Sequence, residues 1–243
     1  MMPTGSVPGI SEQQRFWETW NPKMRDPKHL DEWSMRRAEI ILQFLQSLNL
    51  DRPTILDFGC GTGWLSEMLA KFGPTTGVDL AESVIATARD RCSNVTFFAG
   101  DIFKMSLPAT HFDVVVSQEV VAHVPDQVAY IDRAAHVLKP EGYLIITTPN
   151  KFIMDHADFP PQAPEHIERW LTMSRLKGLL RRHFHVIRSM SILPMGQRGI
   201  LRLVNSYKVN AVLGLLISRQ HLEALKERLG LGYTLIVLAQ KRD

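Results

Sequence analysis

Short apolar runs alternate with amphipathic stretches along most of the chain. Runs rich in β-branched and aromatic residues occupy positions 54–58, 75–79, 95–99, 112–117, 143–148, 185–193 and 233–239. Apolar residues with helical spacing occupy positions near 12–20, 32–48, 64–72, 83–91, 126–138 and 200–229, and a further helix follows Thr172. Strands that alternate with helices are typical of a parallel sheet with helices on its faces. We therefore predict one α/β domain.

Local signals indicate where some of these elements begin and end. Asp31 is a candidate N-cap of the second helix, because a carboxylate before a helix accepts from the free amides of its first turn. Gly73 and Pro74 end the third helix, and the segment 139–142 forms a turn that leads into the next strand. Beyond Asn150 the pattern loosens into a proline-rich loop before it becomes regular again.

The composition is that of a folded domain. Apolar residues make up 45% of the chain and charged residues 22%, so there is enough apolar material for a full core. Cys60 and Cys92 have no partner at the spacing of a zinc or redox motif, which favours reduced thiols and a cytoplasmic protein. The start of the chain shows no leader pattern, and no apolar stretch is long enough to cross a bilayer. We therefore expect neither export nor membrane insertion.

Charge is distributed unevenly along the chain. From Lys151 onward there are 15 lysines and arginines against 7 aspartates and glutamates, whereas the first 150 residues hold 13 against 18. The second part therefore has a net charge of +8 and the first part a net charge of −5. We expect the basic part to be a solvated face, with an acidic substrate, RNA or an anionic lipid surface as alternative partners.

The most informative segment joins an apolar strand to a helix through closely spaced glycines. Its sequence is Ile-Leu-Asp-Phe-Gly-Cys-Gly-Thr-Gly-Trp at positions 55–64. Gly59, Gly61 and Gly63 let the backbone approach a ligand closely. A dinucleotide site would space its glycines as Gly-x-Gly-x-x-Gly, and Asp57 would repel a pyrophosphate. The pattern instead favours a nucleoside that carries a positive charge, such as S-adenosylmethionine.

Two more carboxylates follow the next two strands. Asp79 comes 22 residues after Asp57, at a strand end, where it can accept hydrogen bonds from both ribose hydroxyls. Asp101 follows the third strand, where it can accept from an adenine amino group while Ile102 packs on the ring. Ligands of open α/β sheets bind at the carboxyl ends of the strands, so we expect the three acids to line one crevice.

With these residues the chain resembles the class I S-adenosylmethionine-dependent methyltransferases. Segment 57–63, Asp79, Asp101 and segment 112–123 match that family's successive motifs, within about residues 55–150. The resemblance implies a Rossmann-like seven-stranded sheet in the order 3-2-1-4-5-7-6 with its last strand antiparallel. It also implies S-adenosylmethionine as the cofactor and S-adenosylhomocysteine as its product. The residues expected at the cofactor are Trp20, Arg37, Asp57, Gly59, Cys60, Gly61, Asp79, Leu80, Asp101, Ile102 and Gln118.

The N-terminal part resembles that of the ubiquinone-pathway O-methyltransferases. Segment 15–21 is similar to their aromatic lid helix, which covers the cofactor, although Trp17 and Trp20 are equally consistent with core anchors. Those relatives place an arginine against the cofactor's carboxylate near the position of Arg36 or Arg37. The sequence does not distinguish the two arginines, and Arg37 is our candidate.

Polar residues at the ends of the fourth and fifth strands are candidates for acceptor chemistry. His123 follows the fourth strand, where ligands bind in open α/β sheets, and it is our candidate general base. The alternative is a histidine that packs on a helix and bonds to backbone. Asn150 ends the fifth strand and is a candidate for a hydrogen bond to an acceptor hydroxyl, with a plain turn role equally consistent.

The segment around His123 resembles a Glu-x-x-Glu-His-Val-Pro stretch of the ubiquinone-pathway and small-RNA 2′-O-methyltransferases, in which the acids and the histidine hold a divalent metal. Here Ala122 replaces the second acid, and Glu119 shares a face with His123 if the segment is helical. His166 lies where the RNA-modifying relatives carry a further histidine ligand. The missing carboxylate lowers the expected affinity for Mg²⁺. We therefore expect no metal, and Glu119 joins His123 and Asn150 in the expected catalytic set.

A helical insert is expected before the last strand, at about residues 198–230. Its apolar segment 209–217 is too short to span a membrane. A buried helix is the default interpretation, and a substrate lid, a dimer face or an interfacial helix are alternatives. The basic residues beside it are Arg198, Arg202, Lys208 and Arg219. We assign residues 1–50 to an N-terminal arm with lid helices and residues 51–243 to the methyltransferase domain.

The expected function is methyl transfer from S-adenosylmethionine to a hydroxyl or amine of a small molecule, such as a quinone, polyketide or sugar precursor. RNA ribose 2′-O-methylation is the alternative enzyme activity, which the basic second part and the set Glu119, His123 and His166 favour. A non-catalytic S-adenosylmethionine-binding regulatory module is the alternative from another class of protein.

Overall fold

The computed structural model describes residues 8–24, 30–157, 166–196, 198–214 and 217–243. Its strands are β1 (Ile55–Phe58), β2 (Thr75–Asp79), β3 (Thr96–Ala99), β4 (Phe112–Gln118), β5 (Leu138–Pro149), β6 (Phe184–Pro194) and β7 (Gly232–Lys241). Its α-helices are α1 (Ile10–Met24), α2 (Glu32–Ser47), α3 (Trp64–Leu69), α4 (Glu82–Arg91), α5 (Gln127–Val137), α6 (Lys151–Met154), α7 (Met173–Leu180), α8 (Gly199–Val204), α9 (Tyr207–Leu213) and α10 (Arg219–Arg228). A short 3₁₀ turn at Val121–His123 follows β4.

The strands form one mixed sheet in the order β3-β2-β1-β4-β5-β7-β6. The first five strands pair in parallel, and β7 runs antiparallel to both β5 and β6. The predicted fold class, sheet order and antiparallel last strand are confirmed. The strand order reverses between β1 and β4, and ligands of open α/β sheets bind in the crevice at such a point.

Helices cover both faces of the sheet, and alternate residues of each strand supply the two cores. Leu56 of β1 packs with residues of α5 and α7, such as Leu176, on one face. Ile55 packs with residues of α2 and α3, such as Phe44, on the other. Parallel strands that are buried on both faces are apolar at nearly every position. Asp57 is therefore an exceptional carboxylate in an otherwise apolar strand.

The predicted elements are present, with small shifts at their ends. Asp31 caps α2 as expected, because its carboxylate accepts from the amide of Ser34 at 2.6 Å. The segment 139–142 differs from the prediction, since it belongs to β5 and includes Glu141 at φ +57°. The reason is that Leu138 already pairs with β4, ahead of a register shift.

The insert before the last strand is helical, as predicted, and consists of α8, α9 and α10. Ser218 caps α10 by accepting from the amide of His221. The predicted proline-rich loop at 159–164 and positions 215–216 of the apolar segment lie outside the described residues. Within the ranges given above, no helix combines the length and the apolar character needed to cross a membrane.

Candidate active site

A cavity of about 220 Å³ lies at the carboxyl ends of β1, β2 and β4. Helix α1 forms one wall and the loop that follows β3 forms another. The expected cofactor residues that line this cavity are Trp20, Asp57, Gly59, Cys60, Gly61, Asp79, Leu80, Asp101, Ile102 and Gln118. The sheet order explains the convergence, because β2, β1 and β4 are neighbours and their ends open on the same side.

Arg37 lies apart from that set. It is buried in α2, where its guanidinium donates to the hydroxyl of Ser34 at 2.9 Å, and it is not among the described residues that line the cavity. Arg36, the alternative, lies 3.8 Å from Glu227 of the insert. Neighbouring helix positions point about 100° apart, and the sequence alone did not show which face of α2 is turned to the cavity. The structure thus places Arg37 behind the residues that line the cavity, and its contact with the cofactor stays a prediction.

The glycine turn after β1 adopts backbone conformations that favour glycine. Gly59, Gly61 and Gly63 have φ angles of +94°, +52° and +74°, which residues with side chains rarely adopt. A Cβ atom on Gly59 would lie 2.3 Å from a methyl carbon of Val120. The turn therefore passes directly beside the loop after β4, and both line the cavity.

Amides of this turn are bonded to the end of β2. The amides of Gly59 and Cys60 both donate to the carbonyl of Val78 at 2.9 Å. The amide of Gly61 donates to the carboxylate of Asp79 at 2.8 Å. A pyrophosphate site needs such amides to be available to the phosphates. These bonds therefore support the argument from the sequence against a dinucleotide.

Asp57 and Asp79 place two carboxylates in one crevice. Asp57 is 1% exposed and accepts from the hydroxyl of Ser66 at 2.6 Å. Burial raises the pKa of Asp57 to about 7, although the Ser66 hydrogen bond opposes this rise, and the charge of Asp79 adds to it. Burial also raises the pKa of Asp79, against hydrogen bonds from the amides of Ala81 and Gly61. A bound cation would favour the ionised form of both acids, so the crevice suits a positively charged ligand.

Asp101 follows β3, one strand further along the sheet. One of its oxygens accepts from the amide of Phe103 at 3.0 Å, and the other lies 3.9 Å from the ammonium of Lys104. Asp101 is half-buried and lines the cavity together with Ile102 and Phe103. The carboxylate can accept a hydrogen bond from the edge of a flat nucleobase, and the two apolar side chains can pack on its face.

His123 ends the 3₁₀ turn after β4 and lines the same cavity. Its Nδ1 lies 2.8 Å from the carbonyl oxygen of Ile167. A carbonyl only accepts, so Nδ1 carries the hydrogen and the lone pair of the neutral ring is on Nε2. Trp17 and Trp170 pack against the ring at centroid distances of 5.2 and 5.7 Å. These contacts hold one tautomer in one orientation, as a general base requires.

Glu119 lines the cavity but shares no helical face with His123. Only Val121–His123 forms a turn, and Glu119 precedes it in the left-handed region with φ +60°. Its carboxylate accepts from the hydroxyl of Thr147 at 2.8 Å, and its amide donates to the same hydroxyl at 3.0 Å. This attachment to β5 is the reason that the helical arrangement does not form. Within the described ranges, no three metal-ligating side chains are grouped closely enough to hold a metal ion, and this includes Glu119, His123 and His166.

Asn150 also lies away from the described residues that line the cavity. Its amide nitrogen donates to the carbonyls of Gly230 and Gly232 at 3.0 and 2.9 Å. Its side-chain oxygen caps α6 by accepting from the amide of Phe152 at 3.1 Å. These bonds use both hydrogens of the amide and support the turn role, and the contact with an acceptor hydroxyl stays a prediction.

Some cavity residues were missed by the sequence analysis. Gln13 and Asn21 of α1 are buried and line the cavity beside Trp17. They lie four residues before and after Trp17, so all three side chains share one face of α1. This spacing was the signal in the sequence that could have identified them. Trp170 and Tyr233 reach the cavity from distant parts of the chain, and no local pattern marks them.

The sheet order, the glycine turn and the strand-end carboxylates around one cavity define the class of this protein, which is that of the class I S-adenosylmethionine-dependent methyltransferases. The family model described as a methyltransferase domain matches residues 51–205. The chain therefore belongs to the methyltransferase-domain family.

Known proteins agree with this assignment. A ubiquinone biosynthesis O-methyltransferase of Coxiella burnetii is 36% identical over 150 residues, which cover 58% of this chain and 60% of that protein. Another protein of the same name, from Hydrogenovibrio crunogenus, is 40% identical over 123 residues, covering 47% of this chain and 49% of that protein. The chain thus matches about half to three-fifths of the length of these relatives.

One solved structure shows how far the fold extends. The N-methyltransferase NodS from Bradyrhizobium japonicum WM9, in complex with S-adenosyl-L-homocysteine, superposes with a TM-score of 0.65 at 15% sequence identity. The match covers 96% of this chain and 100% of NodS. The two proteins therefore share the fold over nearly the full length of each chain.

Proposed function

We propose that this protein transfers the methyl group of S-adenosylmethionine to a hydroxyl, or an amine, of a small-molecule biosynthetic intermediate such as a quinone, polyketide or sugar precursor. The observation that carries the proposal is the convergence of Asp57, Asp79 and Asp101 with His123 on one cavity. The family and the relatives named above support the reaction, and a hydroxyl is favoured because those relatives are named O-methyltransferases.

The residues of the cavity fit the cofactor. Asp57 is the partner we propose for its ammonium group, because a buried carboxylate with a raised pKa gains most from a cation. Asp79 keeps lone pairs on both oxygens for the ribose hydroxyls. Asp101 and Ile102 suit the adenine. When bound, S-adenosylmethionine supplies an electrophilic methyl group on a sulfonium and leaves as a neutral thioether.

The chain's own chemical task is to align the acceptor and to remove its proton. Nε2 of His123 holds the lone pair, because Nδ1 donates to Ile167. We assign His123 as the base that takes the hydroxyl proton, and Glu119 as the residue that orients the loop through Thr147. General base catalysis contributes about 10² to 10⁴ in rate. Alignment contributes up to about 7–11 kcal/mol at its extreme.

Calorimetry and a methyl-transfer assay test this function. S-adenosylmethionine and S-adenosylhomocysteine are expected to bind the wild type, and Asp79→Asn is expected to weaken both. With methyl-labelled cofactor and a panel of phenols, sugars and amines, His123→Ala should abolish transfer while cofactor affinity stays within about twofold. If neither cofactor form produces heat with the wild type, the proposal is wrong.

The same experiments separate the alternatives. A non-catalytic binding module would bind the cofactor and consume none of it with any acceptor. An RNA ribose methyltransferase would bind RNA with a binding constant that falls as salt rises, and the slope of its logarithm against the logarithm of the salt concentration would correspond to several phosphate contacts. The loss of transfer to a small molecule in His123→Ala would exclude the non-catalytic module. The cytoplasmic location and the division into a lid arm and a catalytic domain remain part of this proposal.

The basic second part is the proposed contact with an anionic surface. Tyr207 is 86% exposed at the start of α9, and Lys208 follows it directly. An exposed ring next to a lysine suits the interface of an anionic membrane. Sedimentation with phosphatidylglycerol vesicles tests this, with phosphatidylcholine vesicles as the control. Lys208→Glu should weaken the binding and Lys71→Glu, an exposed lysine of the first part, should not.

A further inference from the structure

The loop between β3 and β4 carries the part of the cavity that we assign to the adenine. All residues at positions 100–111 are described, and none of them belongs to a helix or a strand. Asp101, Ile102 and Phe103 of this loop line the cavity. A segment without regular secondary structure depends on a few tertiary contacts for its position. Those contacts therefore decide where the carboxylate of Asp101 points.

Residues 101–105 of this loop form one tight turn. The amides of Lys104 and Met105 donate to the carbonyl of Asp101 at 2.8 and 2.9 Å. The amide of Phe103 donates to the carboxylate of Asp101 at 3.0 Å. The backbone of the turn and the side chain of Asp101 are thus bonded to each other, and a movement of the turn moves the carboxylate with it.

Arg133 of α5 binds two carbonyls of this turn. Its Nε donates to the carbonyl of Ile102 at 3.2 Å, and its Nη2 donates to the carbonyl of Met105. A guanidinium presents its donors in a rigid planar fork, so one side chain fixes both carbonyls relative to each other. Helix α5 is itself held by the core, in which Tyr130 and Ile131 are fully buried. Arg133 therefore ties the turn to a fixed element of the fold.

Other contacts of the turn orient it less. Lys104 lies 3.9 Å from Asp101, but its side chain is 79% exposed, and exposed ion pairs contribute little. The amide of Gly100 donates to the carbonyl of Asp79 at 2.8 Å, which fixes only the point where the loop begins. Apolar side chains of the turn pack against the core, and apolar packing is not directional. Arg133 therefore supplies the directional contact that holds the middle of the turn.

We propose that Arg133 is a positioning residue of the adenine subsite, which holds the turn so that the carboxylate of Asp101 accepts a hydrogen bond from the 6-amino group of the base. Arg133 is not among the described residues that line the cavity, so the selectivity for adenine over other purines depends on a side chain outside it. This inference rests on the proposed function, because it concerns the cofactor of the same methyl transfer. The competing explanation is that Arg133 only stabilises the fold.

The test compares two ligands that differ only at the 6-position of the base. They are S-adenosylhomocysteine and its 6-deamino analogue, in which a hydrogen replaces the amino group. Calorimetry should show that the wild type binds S-adenosylhomocysteine at least about tenfold more tightly, as expected for a hydrogen bond to a charged group. Arg133→Met removes the donors, and misalignment of Asp101 should then reduce this ratio to within about threefold. Arg133→Lys offers one ammonium to two carbonyls, so its ratio should be intermediate.

Arg89→Met is the matched control. Arg89 of α4 donates to the carbonyl of Phe97 in β3, through Nε at 3.2 Å and Nη2 at 2.9 Å. The substitution removes the same type of bond, and Phe97 is not among the described residues that line the cavity. Arg89→Met should lower the melting temperature, as Arg133→Met does, and leave the ratio unchanged. An equal fall of the ratio in both variants would assign Arg133 to the stability of the fold and overturn the proposal.

A double-mutant cycle with Asp101→Ala shows whether Arg133 acts through that carboxylate. Asp101→Ala should bring the ratio close to one, and Arg133→Met should not change it further in that background. If Arg133→Met does not fold, Arg133→Lys takes its place in the cycle.

An unchanged ratio in the Arg133 variants would overturn the proposal, and so would a ratio that persists in Asp101→Ala. A wild type that binds S-adenosylhomocysteine and its analogue equally would overturn it as well, because Asp101 would then make no contact with the amino group. Failure of the wild type to bind S-adenosylhomocysteine would instead refute the proposed function.

Discussion

Asp57 shows how one residue links the fold to the ligand. Its carboxylate lies at the end of a buried strand, and burial raises its pKa to about 7. The acid is therefore half-ionised near neutral pH in the free protein, and a cationic ligand favours its ionised form. Both stability and ligand affinity should then depend on pH, with opposite signs.

The affinity for S-adenosylmethionine should rise with pH through the pKa of Asp57. About one unit below that pKa only a tenth of the acid is ionised, so the dissociation constant should be about tenfold larger than well above it. Calorimetry between pH 6 and pH 8 measures this. The control is 5′-methylthioadenosine, which lacks the ammonium and the sulfonium and should show no such dependence.

Ser66→Ala sharpens the test. The Ser66 hydroxyl lowers the pKa of Asp57, so its removal should move the whole affinity profile to higher pH. An affinity for S-adenosylmethionine that does not change with pH would contradict the role assigned to Asp57.

Asp57→Asn should make the free protein more stable above neutral pH. Because the pKa of Asp57 is raised from 3.8 to about 7 in the folded state, the native protein binds more protons than the unfolded chain between these values. Stability is therefore lost as pH rises through this window, by up to a few kcal/mol for this one group. Urea unfolding of both proteins should show a difference that grows from about pH 4 to pH 8. Equal free energies of unfolding of the wild type and Asp57→Asn at pH 8 would refute the raised pKa of Asp57.

Gly59→Ala should damage the cofactor site. The new methyl group would meet Val120 at 2.3 Å, and the φ of +94° is strained for alanine. We expect at least tenfold weaker binding of S-adenosylhomocysteine and a lower melting temperature. Gly178→Ala is the matched control, because a Cβ there meets no atom within 4 Å inside α7. It should be neutral or stabilise by up to about 1 kcal/mol.

Among the elements, the junction of β5 and α6 is tied to the start of β7 by the side-chain amide of Asn150 and by the backbone bond from Asn150 to Tyr233. Asn150 caps α6 and joins it to the start of β7 through the carbonyls of Gly230 and Gly232. This junction positions the chain where the sheet changes from parallel to antiparallel. Asn150, a catalytic candidate in the sequence, therefore connects secondary-structure elements in the fold.

Asn150→Ala should destabilise the protein and leave cofactor binding unchanged. It removes a helix cap and takes the side-chain donor from the half-buried carbonyl of Gly230 and the buried carbonyl of Gly232, a loss of about 2–3 kcal/mol. For a chain of this size the melting temperature should fall by about 4–12 °C. Asn150→Asp keeps the cap and should be intermediate. If Asn150→Ala keeps its melting temperature but loses methyl transfer, Asn150 has a catalytic role instead.

At the level of the whole molecule, the cavity joins segments that lie far apart in the chain. Its lining runs from Ile10 of α1 to Tyr233 of β7. A ligand that fills it contacts the N-terminal helix, several strand ends and the loop after β4 together. Ligand binding should therefore stabilise the whole folded domain and not only one segment of it.

S-adenosylhomocysteine should raise the melting temperature in a concentration-dependent way. At a hundredfold excess over its dissociation constant the stabilisation is about 2.7 kcal/mol, which corresponds to roughly 5–10 °C for a chain of this length. Scanning calorimetry measures the shift. Adenine alone, which fills less of the cavity, is the control and should shift the midpoint less. A midpoint that is independent of S-adenosylhomocysteine would contradict binding to the folded state.

Much of the site was predictable because its signals are local. The spacing of Gly59 and Gly61 and the position of Asp79 at a strand end follow from short-range pattern, and the rule that parallel strand ends meet places them together. The surroundings of Arg37 and Asn150 were not predictable, for the converse reason. Local sequence shows that a polar side chain is present, and burial and hydrogen-bond partners decide where it points.

The amino-acid order alone determined the strands, most helix ends and the acids along one sheet edge, because backbone preferences and apolar periodicity act over a few residues. The stacking of Phe16 on His166 and of His166 on His123, and the raised pKa of Asp57, depend on residues up to 150 positions apart and on exclusion of water. Only tertiary packing brings such groups together and removes their solvent, so only the folded structure decided them.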